Sequence, residues 1–242
     1  MSTESHTIEV AGLDVEVTRK PIKHLHLAVH PPDGRVRVSS PERLDDAAVR
    51  LAVIDRLGWI RRQQTAYDAQ PRQSSRRMVS GECHYAWGYR YRLNVRHRTA
   101  GPNAVKANLG GDLDLYVRPS ATAEQREATL AEWYRDEIKA RIPALVAEWE
   151  PVLGVAVADW GVKRMRTKWG TCNPSARRIW VNLELAKKPP QCLEFVVVHE
   201  MAHLVEPTHS ERFVALMDRH LPDWRFRRGT LNAAPLADEA WG

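Results

Sequence analysis

The chain has 242 residues, 43% of them hydrophobic, and 36 Lys and Arg against 30 Asp and Glu give a net charge of +6. This is ample material for one large cored domain or two small ones, and the positive charge favours anionic partners without identifying one. No apolar run approaches a membrane span, the first ten residues lack the order of a signal peptide, and Cys83, Cys172 and Cys192 are too few and too scattered for a disulfide framework, so a reducing cytoplasm is expected.

In chain order, the first forty residues read as short strands. Ile8 and Val10, then Leu13, Val15 and Val17, then Leu25, Leu27 and Val29 alternate with polar neighbours, and Val36 and Val38 return after the turn Pro31-Pro32-Asp33-Gly34. From Pro41 the period changes to that of a helix, with Leu44, Ala47, Leu51, Ile54 and Leu57 on one side, Trp59-Ile60 extending it, and a basic end at Arg61-Arg62. The polar run 70–75 carries no pattern and reads as an exposed loop, the best candidate for a boundary or a flexible connection. Residues 81–117 form a second set of strands. Tyr89, Tyr91, Leu93 and Val95 share one face, and Arg90, Arg92, Asn94 and Arg96 share the other. That Arg face lacks an aromatic stacking platform and reads as a solvated sheet face rather than a nucleic-acid surface.

Thr122 and Gln125 have the spacing of a capping box and open a helix through Leu130, Trp133, Ile138 and Leu145 to Trp149, which Pro143 should kink or divide. After Gly154 the strands resume, at Val155 and Val157, then over 162–168. Asn173-Pro174 makes a turn, and a strand over 177–185 puts Ile179, Val181, Leu183 and Leu185 on one face with Trp180, Asn182 and Glu184 opposite. Pro189-Pro190 can start the next helix. Ser210 caps a last amphipathic helix carrying Phe213, Leu216 and Met217, and the segment from Gly229 onward has no period.

Between these last helix signals lies His199-Glu200-Met201-Ala202-His203, with His209 six residues later. By propensity the preceding Phe195-Val196-Val197-Val198 favours a strand, but a strand would hold His199 and His203 about 13 Å apart. On a helix, residues four apart lie one above the other, so both imidazoles can reach one ion. Glu200 sits about 100° further round, where it can meet a metal-bound water but is poorly placed to ligate. Pro207 should end the helix and let His209 close the site. Three neutral imidazoles with a position left for water is a catalytic zinc arrangement, whereas a structural zinc fills all four positions, usually with cysteines.

The order Thr167-Lys168-Trp169-Gly170-Thr171-Cys172, then the strand to Leu185, then Val197 through Leu204, then His209-Ser210-Glu211-Arg212-Phe213 and Leu221-Pro222-Asp223-Trp224 resembles the YgjP-like zinc metallopeptidase family. Weaker similarity extends back through Trp59-Ile60 and the strand after Gly88. The resemblance implies an α+β fold, with a zincin-like domain in which an antiparallel sheet packs on the metal helix. With it the chain divides into a β-rich part over 1–118 with one long helix, a catalytic domain over 119–228, and a flexible tail over 229–242. It also implies one zinc ion held by His199, His203 and His209, with Glu200 as general base. Thr171, Thr208 and Val214 depart from the residues usual in the family, and none of them is a ligand.

The reaction implied is hydrolysis of peptide bonds in a peptide or unfolded protein, by a zinc-activated water that loses its proton to Glu200. Zincins lay substrate along a strand edge, and 177–185 is the candidate edge. Trp180 and Asn182 are candidate substrate residues on it, beside the cations Lys168 and Arg178, while Trp169 and Cys172 read as core. Two alternatives stay open. One is a nucleoside triphosphate (UTP) pyrophosphatase, as some family members are assigned, using Arg164, Arg166, Lys168, Arg177, Arg178, Lys187 and Lys188 on the phosphates. The other is a DNA-associated protease of the SprT type, which shares the histidine spacing.

Overall fold

A computed structural model describes residues 5–30, 34–69, 77–165 and 168–233. The fold is mixed α+β, and the chain divides into two compact units, residues 1–73 and 74–241. The break falls inside the polar run 70–75 and not at 118/119. The strands before 118 share one hydrophobic core with the helices that follow them, which is why no division falls there.

In the first unit, β1 (Ser5–Val10), β2 (Leu13–Lys20), β3 (His26–His30) and β4 (Arg35–Pro41) form a sheet of order β1-β2-β4-β3. Only the β2–β4 pair is parallel. Of the turn at 31–34, only Gly34 lies within the described residues. Two helices follow where one was expected, α1 (Asp46–Ile54) and α2 (Leu57–Ala69). Asp45 caps α1 by accepting from the Ala48 N–H at 2.8 Å, and α2 runs on past Arg61-Arg62. The buried face is Val49, Val53 and Ile60, while Leu51 and Ile54 are 64% and 48% exposed. Val49 and Val53 are spaced as well for one helix face as the leucines are, and they meet the valines of β2 and β4 in the core.

The second unit begins with β5 (Cys83–Ala86), β6 (Tyr89–His97), β7 (Ala104–Ala107) and β8 (Asp112–Val117), in the order β5-β6-β8-β7. Again only the middle pair is parallel, so both four-stranded sheets follow one plan. Each opens with a two-residue hairpin turn whose residues both have positive φ, Ala11-Gly12 at 51° and 77° and Trp87-Gly88 at 52° and 84°. That backbone matches the twist of the strands it joins. On the polar face of β6, Arg92 pairs with Asp112 and Arg96 with Asp114, the solvated sheet face that the alternation predicts.

The capping box forms, and α3 (Ala123–Leu153) is continuous through Pro143 until Gly154 ends it in the left-handed region at φ 65°. Its buried stripe recurs at three and four residues, through Leu130, Tyr134, Ile138, Ile142, Val146, Trp149 and Leu153. Burial on both sides of Pro143 holds the axis together despite the missing N–H. The Tyr134 hydroxyl donates to the Tyr85 carbonyl at 2.7 Å, and Trp87 Nε1 donates to Glu137 at 2.9 Å, fixing the β5–β6 hairpin on α3.

The last sheet contains β9 (Asp159–Lys163), β10 (Gly170–Asn173) and β11 (Arg178–Asn182) in the order β10-β11-β9. It is mixed rather than antiparallel, because β11 runs parallel to β9. A 3₁₀ turn, Leu183–Lys187, replaces the expected end of the strand, and α4 (Pro190–Ala202), α5 (Glu211–His220) and α6 (Trp224–Ala233) complete the unit. Residues 229–233, expected to be tail, are helical, with Leu231 1% exposed as their anchor. Residues 234–242 lie outside the described ones.

Candidate metal centre

Helix α4 starts at Pro190, where a missing N–H costs nothing, and is buried almost all round, from Cys192 to Ala202. Its core contacts include Ile179 and Val181 of β11, both fully buried. Tertiary burial therefore overrides the strand propensity of Val196-Val197-Val198. The helix ends at Ala202, well before Pro207, and the chain turns back so that Ser210 caps α5 by accepting from the Phe213 N–H at 3.3 Å.

This turn brings together the three histidines. One ring nitrogen from each of His199, His203 and His209 lies within 4.8 Å of the others. The Nε2 atoms of His199 and His209 are 3.0 Å apart, close to the edge of about 3.4 Å that a tetrahedral zinc with Zn–N near 2.05 Å demands. His203 Nδ1 donates to the Glu206 carbonyl at 3.0 Å, so in the neutral ring Nε2 is the nitrogen with a lone pair to offer a metal. Glu206 is itself held by the Thr208 hydroxyl at 3.1 Å. Burial, then repulsion from His203, His209 and Arg228, drives the His199 imidazole down to about 3. A neutral buried ring with its Nε2 turned to the cluster suits a metal ligand.

Phe213 was not anticipated as part of this site. Its ring centroid lies 4.9, 4.6 and 4.9 Å from those of His199, His203 and His209, so it backs all three. The sequence places Phe213 on the apolar face of α5 but carries no sign of what that face meets.

Glu200 is 6% exposed and faces β10. A Cβ on Gly170 would lie 2.5 Å from Glu200 Oε1 and 2.7 Å from its Cγ, so the strand backbone rests against the carboxylate. Burial pushes the Glu200 carboxyl up to about 8, with the Lys168 ammonium pulling the other way. Cys172, two residues beyond Gly170, is half-buried. Its thiol is raised to about 11, by burial first and the Glu200 charge second, and stays protonated. Trp169 packs against the core beside it.

The candidate substrate residues separate. The Lys168 charge acts on the Glu200 carboxyl. Asn182 does not face the site. It is 4% exposed, and its side chain donates to the carbonyls of Met165 and Lys168, both at 2.8 Å, and accepts from the Met165 and Glu184 N–H groups. It pins the loop that leads into β10. Trp180 and Arg178 alternate with Ile179 and Val181, so they occupy the sheet face away from α4. Arg178 pairs with Asp159 at 2.7 Å. Trp180 lies over Gly161, and a Cβ there would come within 2.6 Å of the ring. Gly161→Ala is therefore expected to lower stability by about 1–3 kcal/mol, as overpacking does. Urea unfolding would measure it, and an unchanged midpoint would mean the ring is not fixed there. Nor is 177–185 an edge, because β11 is the central strand. The terminal strand against Glu200 is β10.

His199 on a helix, His203 at its end and His209 in the turn after it, with a buried carboxylate alongside, form a cluster that could hold a metal ion. The chain belongs to the YgjP-like family: it matches the description "YgjP-like, metallopeptidase domain" over residues 23–234. No curated protein matches it. Among solved structures, the zymogen of the metallopeptidase abylysin from Pyrococcus abyssi is 14% identical over 39% of this chain and 98% of its own, with a TM-score of 0.34. That score does not establish a common fold, and membership rests on the sequence match.

Proposed function

We propose that the protein is a zinc metallopeptidase that hydrolyses peptide bonds with one zinc ion held by His199, His203 and His209. The observation that carries this is the convergence of the three imidazoles beside a buried Glu200 that rests against a terminal strand. Bound there, zinc would lower the pKa of a water to about 7 and polarise the scissile carbonyl. Phe213 keeps the three rings in place, and the Glu206 carbonyl holds the proton on Nδ1 of His203. Strand β10 offers its open edge to an extended peptide by backbone pairing. Glu200 takes the proton of the attacking water at a carboxylate oxygen and delivers it to the leaving amine.

Three of the cations invoked for a nucleotide are engaged in ion pairs. Arg164 pairs with Glu127 and Lys187 with Glu184, as Arg178 does with Asp159. Arg166 lies outside the described residues. For DNA, the Arg face of β6 is likewise paired with aspartates. No observation favours either alternative.

The test is one incubation of zinc-loaded wild type and Glu200→Gln with unfolded protein and nucleoside triphosphates, analysed by mass spectrometry. New peptide termini made only by the wild type support the reading. Pyrophosphate made only by the wild type replaces it with the nucleotide alternative. For the metal itself, His209→Ala is expected to weaken zinc binding by more than the about 10–100-fold typical of losing an outer hydrogen-bond partner. Competition with a chromophoric chelator would measure this, and unchanged affinity would remove His209 from the ligand set.

A further inference from the structure

The 3₁₀ turn Leu183–Lys187 links the central strand β11 to the metal helix α4, and both of its caps reach back to the stretch before β10. Asn182 caps its start. The side-chain oxygen accepts from the Glu184 N–H at 3.2 Å and from the Met165 N–H at 3.3 Å. The side-chain nitrogen donates to the carbonyls of Met165 and Lys168, both at 2.8 Å, and the Asn182 backbone N–H donates to the Trp169 carbonyl at 2.8 Å. A carboxamide has two N–H donors and two lone pairs on oxygen, so this buried one is fully spent inside the protein. It has nothing left to offer a substrate. Lys188, also buried, caps the far end of the turn, and its ammonium lies over the Trp169 ring, 5.6 Å from the centroid.

Trp169 leads directly into Gly170, whose backbone rests against the Glu200 carboxylate. Glu200 rides on α4, which starts two residues after Lys188. One turn therefore carries both sides of the contact: the helix that bears the carboxylate and the anchor of the strand that bounds it. Breaking the Asn182 bonds would leave buried carbonyls unpaired, so the stretch would have to move to find new partners.

We infer that Asn182 is a positioning residue for the general base: by tying 165–169 to the 3₁₀ turn it holds Gly170 against Glu200 and so fixes where the carboxylate meets the attacking water. This rests on the peptidase reading.

Asn182→Asp tests it, because the carboxylate still accepts from Met165 and Glu184 but donates nothing to the carbonyls of Met165 and Lys168. The zinc-loaded variant is expected to lose about 10²-fold in kcat on a cleaved peptide, the cost of a catalytic group displaced by about 1 Å. KM should stay within a few-fold, and zinc affinity should be unchanged because no histidine is touched. Lys163→Met is the control. It removes a contact between an ammonium and an aromatic ring, 4.8 Å to Trp180, on the sheet face away from α4, and should leave kcat as it is. If Asn182→Asp does not fold, Asn182→Ser, which keeps one donor and an acceptor, takes its place.

The deciding comparison is made in the Glu200→Gln background. There Asn182→Asp should cost nothing further, because residues that act through one another are not additive. Amide exchange over 168–173, followed by mass spectrometry, should quicken in Asn182→Asp and not in Lys163→Met. Unchanged kcat, a rise in KM alone, unchanged exchange, or an equal loss in the Glu200→Gln background each overturns the inference and leaves the peptidase reading standing. A wild type that cleaves no peptide removes the peptidase reading first, and the inference with it.

Discussion

Glu200→Gln is expected to lower kcat on a cleaved peptide by about 10²–10⁴-fold, the usual contribution of a positioned general base. The amide fills the same space against Gly170 but accepts no proton from water. The three imidazoles are untouched, so zinc content should equal that of the wild type. Folding should survive for an electrostatic reason. The Glu200 carboxyl, ordinarily at 4.5, is pushed up to about 8 by burial. Between those values the metal-free folded chain holds a proton that the unfolded chain has released. Its contribution to stability therefore falls as pH rises through that window. Glutamine has no such proton to lose, so the metal-free variant should be at least as stable as the wild type at pH 8. Steady-state kinetics, zinc analysis and unfolding at two pH values measure all three points. Retention of wild-type kcat would remove Glu200 from the chemistry.

Gly170→Ala should be nearly as damaging, although it changes no ionisable group. The added methyl would sit 2.5 Å from Glu200 Oε1 and 2.8 Å from its Cδ. Glu200 is buried and has little room to swing aside, so either its carboxylate or strand β10 must shift. A displacement near 1 Å at a catalytic group costs on the order of 10²-fold in rate. The expected variant binds zinc normally and turns over peptide about a hundredfold more slowly. If its kcat/KM stayed within a few-fold of the wild type, the strand would not be fixed against the carboxylate.

Local chemistry announced itself in this chain. Thr122 with Gln125, Gly154, Ser210 and Pro190 mark helix ends by rules that involve only near neighbours, and the structure follows each. The helix through His199 and His203 was legible because only helical spacing lets two imidazoles four residues apart share an ion. Contacts between distant elements were less legible. Val49 and Val53 compete on equal terms with Leu51 and Ile54 until the sheet beneath α1 is known. Asn182 alternates like a site residue, yet its hydrogen bonds go to a loop fourteen or more residues earlier. Trp180 and the centrality of β11 depend on β9 returning in parallel, which no turn signal encodes. Phe213 reaches the histidines from α5, through helix packing that periodicity does not specify.

Among the described residues, strand β10 has a neighbour on one side only. An open row of amides and carbonyls that can receive a peptide can equally recruit another copy of the chain, the hazard that all exposed sheet edges share. This edge spans four residues, Gly170–Asn173, too short for stable intermolecular pairing by itself. Lengthening β10 would therefore favour self-association.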